Sequence, residues 1–460
     1  MNTVNTAAPL PLAKPAGTFF GEPRALGYLA FTEAWERFSY YGMTAILVLY
    51  MSEALFMPGH VEHIAGFAAF RAALESVFGP MSTLALASQI YGIYTAFIYF
   101  TPVFGGYIAD RWLGRRNAVV IGAVLMSGGH IAMAFDASFL LALVLLIVGC
   151  GFLKGNISTQ VGTLYAADDT TGRTRGFSIF SIGINVGAVV GPLVCGLLAQ
   201  EFGWHVGFGL AGILMLLGLV NYLAGYNLLA DTISAVRPVD ILPKTKLGRA
   251  EWRTIACLFA VMSITIFQSI AYYQNSNIAL IWTESSVDLN LLGFHIPVAW
   301  FNSIDPLISI LAVPFLLKHW QRQAEGRGEQ GEVAKIGTGA WIACVANLLL
   351  VIGCAVTDKV PVLVPVAYDF LLGVAFLYYW PTLLALVSRA APPAVRATLM
   401  GTVFLSLFIA DFIVGWLGGF YERMTPTEFW AMHAAIAAVG GLLAFLFGRR
   451  LESLLASAEI

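Results

Sequence analysis

The sequence predicts an all-α membrane protein of twelve spans, arranged as two six-helix bundles. Three observations carry this. Of the 460 residues, 58% are hydrophobic and only 11% charged, with a mean hydropathy of +0.78, whereas soluble domains carry about a quarter charged residues. The apolar residues fall in runs long enough to cross a bilayer, since about 20 residues at 1.5 Å each cover a hydrocarbon core of roughly 30 Å. With both termini placed in the cytoplasm, 20 of the 25 Lys and Arg fall in cytoplasmic segments, as the positive-inside rule expects.

The first 26 residues lack a basic-then-apolar signal pattern and read as a cytoplasmic tail. Six spans follow, at about 27–53, 84–108, 117–136, 139–164, 176–200 and 206–228. Between the first two, the Phe67 to Phe78 stretch has a helical pattern that suits the membrane interface. A polar linker, 230–253, carries Pro238, Pro243 and five basic residues and divides the chain into 27–229 and 254–448. The second six spans are expected at about 254–282, 296–317, 336–356, 360–387, 397–420 and 428–448, ahead of a cytoplasmic tail from 449 to 460. This plan matches transporters built from repeated bundles, whose site lies between the halves near mid-membrane.

Composition also excludes classes. A net charge of −2 argues against nucleic acid as a partner. The five cysteines sit in apolar runs without metal-ligand spacing, and the seven histidines are scattered. No phosphate-cradling glycine loop or nucleophile–base pattern is evident, so a membrane-embedded enzyme and an ATP-driven pump are disfavoured, and neither metal nor cofactor is expected.

The first span holds Glu33-Ala-Trp-Glu36-Arg37-Phe-Ser-Tyr40-Tyr41-Gly42. Glu33, Glu36 and Arg37 are spaced i, i+3, i+4 and share one helix face. Each would cost about 2.5–3.5 kcal/mol facing lipid at mid-membrane, so the face turns to a protein interior or a wet cavity. A structural ion-pair knot and a functional site both satisfy that demand. Between spans 2 and 3 stands Gly105-Gly106-Tyr-Ile-Ala109-Asp110-Arg111-Trp-Leu-Gly114-Arg115-Arg116. Its glycines permit a close turn, and Asp110 beside a basic loop can form a breakable latch; the pattern resembles the cytoplasmic signature of the major facilitator superfamily. Lys154 lies several residues inside span 4, either snorkelling to the surface or facing a site. Asn185 is a mid-span amide, either an interhelical hydrogen bond or a ligand contact.

Four motifs converge: Glu33-x-x-Glu36-Arg37-Phe-x-Tyr-Tyr, Gly-Gly-x-x-Ala-Asp at 105–110, Phe-Leu-Lys154-x-Asn156-Ile-Ser, and Phe-Ser-Ile-Phe-x-x-Gly-Ile-Asn185-x-Gly. Together they resemble the proton-dependent oligopeptide transporter family, the peptide-transporting branch of the major facilitator superfamily. The likeness is close over roughly residues 27–200 and traceable to about 420. It implies the major facilitator fold and proton-coupled symport of di- and tripeptides by alternating access, driven by the proton gradient without a cofactor. It further implies that Arg37 and Lys154 hold the substrate carboxylate, that Tyr40, Tyr41 and Tyr99 line the pocket, that Asn185 bonds the peptide backbone, and that Glu33 and Glu36 couple the proton. The chemistry agrees, because a guanidinium fork suits a carboxylate. A buried Glu beside Arg is pulled two ways, burial favouring its neutral form and the cation its ionised form, and its protonation would release Arg37 to the substrate. The expected setting is the cytoplasmic (inner) membrane, multi-pass, with a monomer as the working unit.

The chain departs from the family pattern in its second half. Tyr273-Gln274 stands where the family has Glu-Gln, so Lys154 lacks its usual facing acid. Phe376 stands where an acid precedes Pro381, and Trp380 replaces a serine. The linker is too short for the two extra helices of many bacterial members. New acids appear at Asp305, Asp369 and Asp411. Asp305 is expected to meet a substrate ammonium, with Asp369 or Asp411 as substitutes; cavity lining, a helix-pair hydrogen bond or pairing with Lys154 are the other readings. The same losses leave a second function open, proton-driven transport of a non-peptide organic anion on the same scaffold.

Overall fold

In a computed structural model, residues 18–166, 169–229, 247–328, 330–357 and 359–456 are described. They form fourteen α-helices and a few two-residue strands. The expected spans coincide with α1 (Arg24–Tyr50), α3 (Thr83–Ile108), α4 (Arg115–Ala132), α5 (Phe139–Thr163), α6 (Thr170–Phe202) and α7 (Trp204–Gly225) in the first half. In the second they coincide with α8 (Arg249–Tyr273), α10 (Ile304–Arg327), α11 (Glu332–Val356), α12 (Leu363–Ala390), α13 (Arg396–Gly418) and α14 (Pro426–Ala456). Ten of these are long and apolar enough to cross a membrane. The other two carry polar loads: α1 holds the Glu-Glu-Arg face, and the short α4 holds Arg115, Arg116 and His130. The interfacial stretch forms α2 (Phe67–Phe78), of which only Phe67 is buried.

One expectation needs correction, and two terminal segments add to the plan. The seventh span is not continuous: α8 ends at Tyr273, a 3-10 turn covers Gln274–Ser276, and α9 (Ile278–Ser286) restarts after Asn277, whose φ and ψ are −121° and −105°. Polar side chains hold the break. Gln274 Nε2 donates to Val414 O (3.1 Å) and Asn277 Nδ2 to Ser88 Oγ (2.7 Å). A broken helix is tolerated at membrane depth where other groups satisfy its backbone. Second, α14 runs on to Ala456, so most of the expected C-terminal tail is helical; Glu452 in that extension accepts from the Val333 and Ala334 N–H groups at the start of α11. Third, part of the N-terminal tail is ordered as a hairpin, Thr18–Phe19 against Glu22–Pro23, tied to α6 by Glu22–Arg175 at 2.7 Å. Most of the linker, 230–246, lies outside the described residues, as do 1–17 and 457–460.

Within the first half, α1 is wedged between α6 and α7. Gly183, Gly187 and Gly191 recur every fourth residue on α6, and a Cβ at Gly187 would lie 2.5 Å from Ala34 O and 2.7 Å from Arg37 Cβ. Small residues allow such backbone approach in lipid, where apolar burial alone does not drive association. The opposite face of α1 is bonded to α7: Ser39 Oγ donates to Ala211 O (2.7 Å) and Asn221 Nδ2 to Tyr28 O (2.8 Å). The rotation of α1, and with it the direction of the charged triad, is fixed from both sides.

The halves meet along α3–α13 and α6–α10. A Cβ at Gly92 of α3 would lie 2.6 Å from both Asp411 O and Gly415 Cα of α13. Hydrogen bonds between the halves gather on the side away from the termini: Ser88 to Gly415 O (3.0 Å), Trp300 Nε1 to Leu193 O (2.8 Å), Ser303 to Val189 O (2.7 Å) and Gln200 to His295 O (3.0 Å). On the terminal side, α6 instead lines an open groove of about 570 Å³ with Ser178, Ser181, Ile182 and Asn185. Among the described residues, the seam is closed by hydrogen bonds on the far side.

Candidate functional site

The charged triad turns inward. Glu33, Glu36 and Arg37 are 3%, 0% and 4% exposed. Arg37 Nε lies 3.0 Å from Glu33 Oε1 and pairs with Glu36 as well. The two carboxylates therefore share one edge of the guanidinium. Glu33 Oε2, Glu36 Oε1 and Arg37 Nη2 are buried with no hydrogen-bond partner among the described residues. Burying unpaired charge is costly, so these atoms are an unfilled hydrogen-bonding capacity. Tyr40 packs beside the triad, its ring 5.6 Å from the Arg37 Cζ and 5.1 Å from the Tyr41 ring.

Lys154 does not snorkel. Its Nζ sits 4.6 Å over the ring of Tyr99, and no carboxylate lies within ion-pair distance among the described residues. Tyr99 in turn reaches across the seam, its hydroxyl 3.4 Å from that of Tyr273. Asn185 lines the open groove and makes no hydrogen bond among the described residues, so the interhelical bond considered for it is not formed.

The second half supplies acids and rings. Asp305 is buried in the first turn of α10, where Tyr272 of α8 donates to its Oδ2 and Ser309 Oγ lies 3.4 Å from Oδ1. Gly373 of α12 makes room for it: an added Cβ would come within 2.9 Å of Asp305 O. Asp369, 4% exposed, lies one turn from Gly373 and is electrostatically coupled to Asp305. Tyr41 lies within electrostatic reach of Arg37 and Asp305 alike, which links the cationic and acidic walls. Phe376 stacks on Tyr272 at 5.6 Å, and Trp380 packs edge-on against Phe404 at 5.6 Å. Asp411 lies on the α3–α13 seam, 1% exposed, with Oδ2 unpartnered among the described residues, and within electrostatic reach of Lys154, Tyr99 and Tyr273.

The loop motif forms a local latch. Gly105 abuts α5, where a Cβ would overlap Gly151 O. Arg115 holds Asp110 at 3.0 Å, both within the first half, while Arg111 lies over the Trp112 ring. Gly106 has open space around it.

Sequence reasoning missed Tyr272, which joins Asp305 to Phe376, and the Gln274–Asn277–Ser88 bridge. The signal for the first was present in the Tyr272-Tyr273 pair. Adjacent residues point about 100° apart on a helix, so one ring faces Tyr99 and the other Asp305.

The arrangement places cations and glutamates on the first-half side, aspartates on the second-half side, and aromatic rings between them. A family model described as PTR2, POT family, matches residues 116–242 and 229–432. The chain belongs to the POT family. A di-/tripeptide transporter of Lactococcus lactis subsp. cremoris is 27% identical, over 96% of this chain and 99% of the relative. The crystal structure of a peptide transporter POT in complex with sulfate superposes with a TM-score of 0.82 at 28% identity, covering 96% of this chain and 97% of that one. A POT family transporter solved in complex with 5-aminolevulinic acid gives a TM-score of 0.80 at 25% identity, covering 95% and 98%. The fold is thus of the major facilitator type, and this POT chain is a multi-pass transporter and not an enzyme.

Proposed function

We propose that this POT member is a proton-coupled symporter that imports di- and tripeptides by alternating access. The observation that carries the reading is the unshared edge of Arg37: its Nε is engaged by Glu33 and Glu36 while Nη2 is buried and unpartnered among the described residues. A carboxylate arriving there completes the fork, with Lys154 as a second cation free of acidic partners. Relatives named as di-/tripeptide transporters support the substrate class. The relative bound to 5-aminolevulinic acid shows that the scaffold accepts a ligand with an amine and a carboxylate but no peptide bond.

In this reading the substrate lies between Arg37 and Lys154 at its carboxylate and Asp305 at its ammonium, with Tyr41 and Tyr99 alongside and Asn185 reached from the groove. Asp369 adds negative charge behind Asp305. Proton binding at Glu33 or Glu36 loosens the hold on Arg37 and so couples to substrate binding. The far-side seam opens and the groove closes in the outward-facing form as the halves rock. The protein works as a monomer in the cytoplasmic membrane with both termini inside, without cofactor.

Uptake by purified protein in liposomes tests this. Dialanine should accumulate when an inward proton gradient is imposed, and Arg37→Ala should abolish accumulation. Gradient-driven uptake of a dicarboxylate without any dialanine uptake would overturn the peptide assignment.

A further inference from the structure

Asp411 is a buried carboxylate to which the substrate pathway above gives no task. Its Oδ2 is buried and has no hydrogen-bond partner among the described residues. Its backbone forms part of the seam between the halves, since a Cβ at Gly92 of α3 would lie 2.6 Å from Asp411 O. A carboxylate ionised and unpaired at such a place is costly, and ionisable groups inside a membrane mark ion and proton paths. Asp411 must therefore take a proton or be offset by a cation.

The surroundings serve both states. Tyr91 and Tyr99 of α3, Tyr273 of α8 and Tyr379 of α12 all lie within electrostatic reach of Asp411. Among the described residues, the ion acting on it is Lys154 of α5. Tyr99 connects the halves here. Its ring lies under the Lys154 ammonium, 4.6 Å from centroid to Nζ, and its hydroxyl lies 3.4 Å from that of Tyr273. Arg37, Glu36 and Glu33 also act on Lys154, but both glutamates are already engaged by Arg37. Lys154 belongs to the first half and Asp411 to the second, so their attraction works across the seam. Gly92 and Gly415 pack closely on this stretch, and a proton is the one cation that needs no room of its own.

We infer that Asp411 is a proton-carrying site of this transporter. Ionised, it attracts Lys154 and so draws the halves together. Protonated, it releases Lys154 to the substrate carboxylate and loosens the seam. The step forms one O–H bond, with a proton taken from water on one side of the membrane and returned to water on the other. The inference rests on the proton-coupled reading above and adds to it a second acid, in the half opposite Glu33 and Glu36.

The test uses the full chain in liposomes that hold a pH-sensitive dye, with dialanine outside, and reads the ratio of acid influx to dialanine influx. A variant that merely slows the cycle leaves this ratio alone. Asp411→Asn should lower it by about one proton per dialanine. An unchanged ratio in Asp411→Asn would overturn the inference alone, whereas a wild type without acid influx would overturn the proton-coupled reading as well. If Asp411→Asn carries no dialanine, melting temperatures in detergent decide. At alkaline pH, Lys154→Gln should lower the melting temperature further in the wild type than in Asp411→Asn, and at acid pH by the same amount in both. Additive effects at both pH values would overturn the inference.

Discussion

The ammonium of Lys154 rests 4.6 Å from the centroid of the Tyr99 ring, and the Tyr99 hydroxyl lies 3.4 Å from that of Tyr273 in the opposite half. A cation held by a ring face gains about 0.5–2 kcal/mol, less than a charge-assisted bond to a carboxylate in a dry site. Lys154 is therefore held in place without being satisfied.

From this follows the behaviour of Lys154→Gln. Wild type should bind dialanine more tightly than its carboxyl-amidated form, by about tenfold for one charge-assisted bond of about 1.5 kcal/mol. The variant should bind the two about equally, because the lost cation matters only to a charged partner. Competition against labelled peptide in liposomes measures both affinities. A variant that keeps the full preference would remove Lys154 from the carboxylate site.

Arg37 is a second case, in which stability is the readout. Removing the guanidinium by Arg37→Met leaves Glu33 and Glu36 buried without their cation, and breaking such a pair costs about 3–5 kcal/mol. The triple variant Glu33→Gln, Glu36→Gln, Arg37→Met carries no charge and should recover much of that loss. Detergent melting temperatures should therefore rank wild type and triple variant above the single one. A single variant as stable as the wild type would mean that the glutamates already stand neutral and draw nothing from Arg37.

The first half was largely legible in the sequence because its signals are local. Glu33, Glu36 and Arg37 are one turn apart, so spacing alone gives their common face, and the cost of charge in lipid gives its direction. Lys154 and Asn185 were legible as anomalies in apolar runs, although the ring beneath Lys154 comes from another helix. The second half was harder. Gln274, Asn275, Ser276 and Asn277 are uncharged and sit between apolar runs, so hydropathy joined α8 to α9 across them. The bonds that hold the break come from Ser88 and Val414, distant in sequence. Asp305 was legible as an unexpected acid, but its partner Tyr272 lies 33 residues away in the chain.

Asp305 makes a sharper test of substrate recognition than its neighbours because it faces Tyr272 across the helix seam. Asp305→Asn keeps the shape and the capacity to accept from Tyr272 but removes the charge. Wild type should prefer dialanine over its amino-acetylated form, and the variant should lose that preference, about tenfold. Tyr272→Phe should leave the preference intact while weakening uptake through loss of positioning. An unchanged preference in Asp305→Asn would move the ammonium contact to Asp369 or Asp411.

The α3–α13 seam yields a prediction about which side is open. Ser88, Gly92 and Gly415 pack backbone against backbone, and a methyl at Gly92 would have to displace main-chain atoms, which cannot give way as a side-chain tip can. Overpacking of this kind costs about 1–3 kcal/mol, and it falls on the arrangement described, in which the far side is shut. Gly92→Ala should then shift the population towards far-side opening by about tenfold for each 1.4 kcal/mol. The measurement uses Ser303→Cys, a position 4% exposed and bonded to Val189 across the far-side seam, in a background where the five native cysteines are replaced by serine. A membrane-impermeant maleimide should label it several-fold faster with Gly92→Ala than without. Gly209→Ala, at a position with nothing near its added Cβ, should not change the rate. Equal labelling with and without Gly92→Ala would show that the seam does not govern access, and the gate would then have to be sought along α6 and α10.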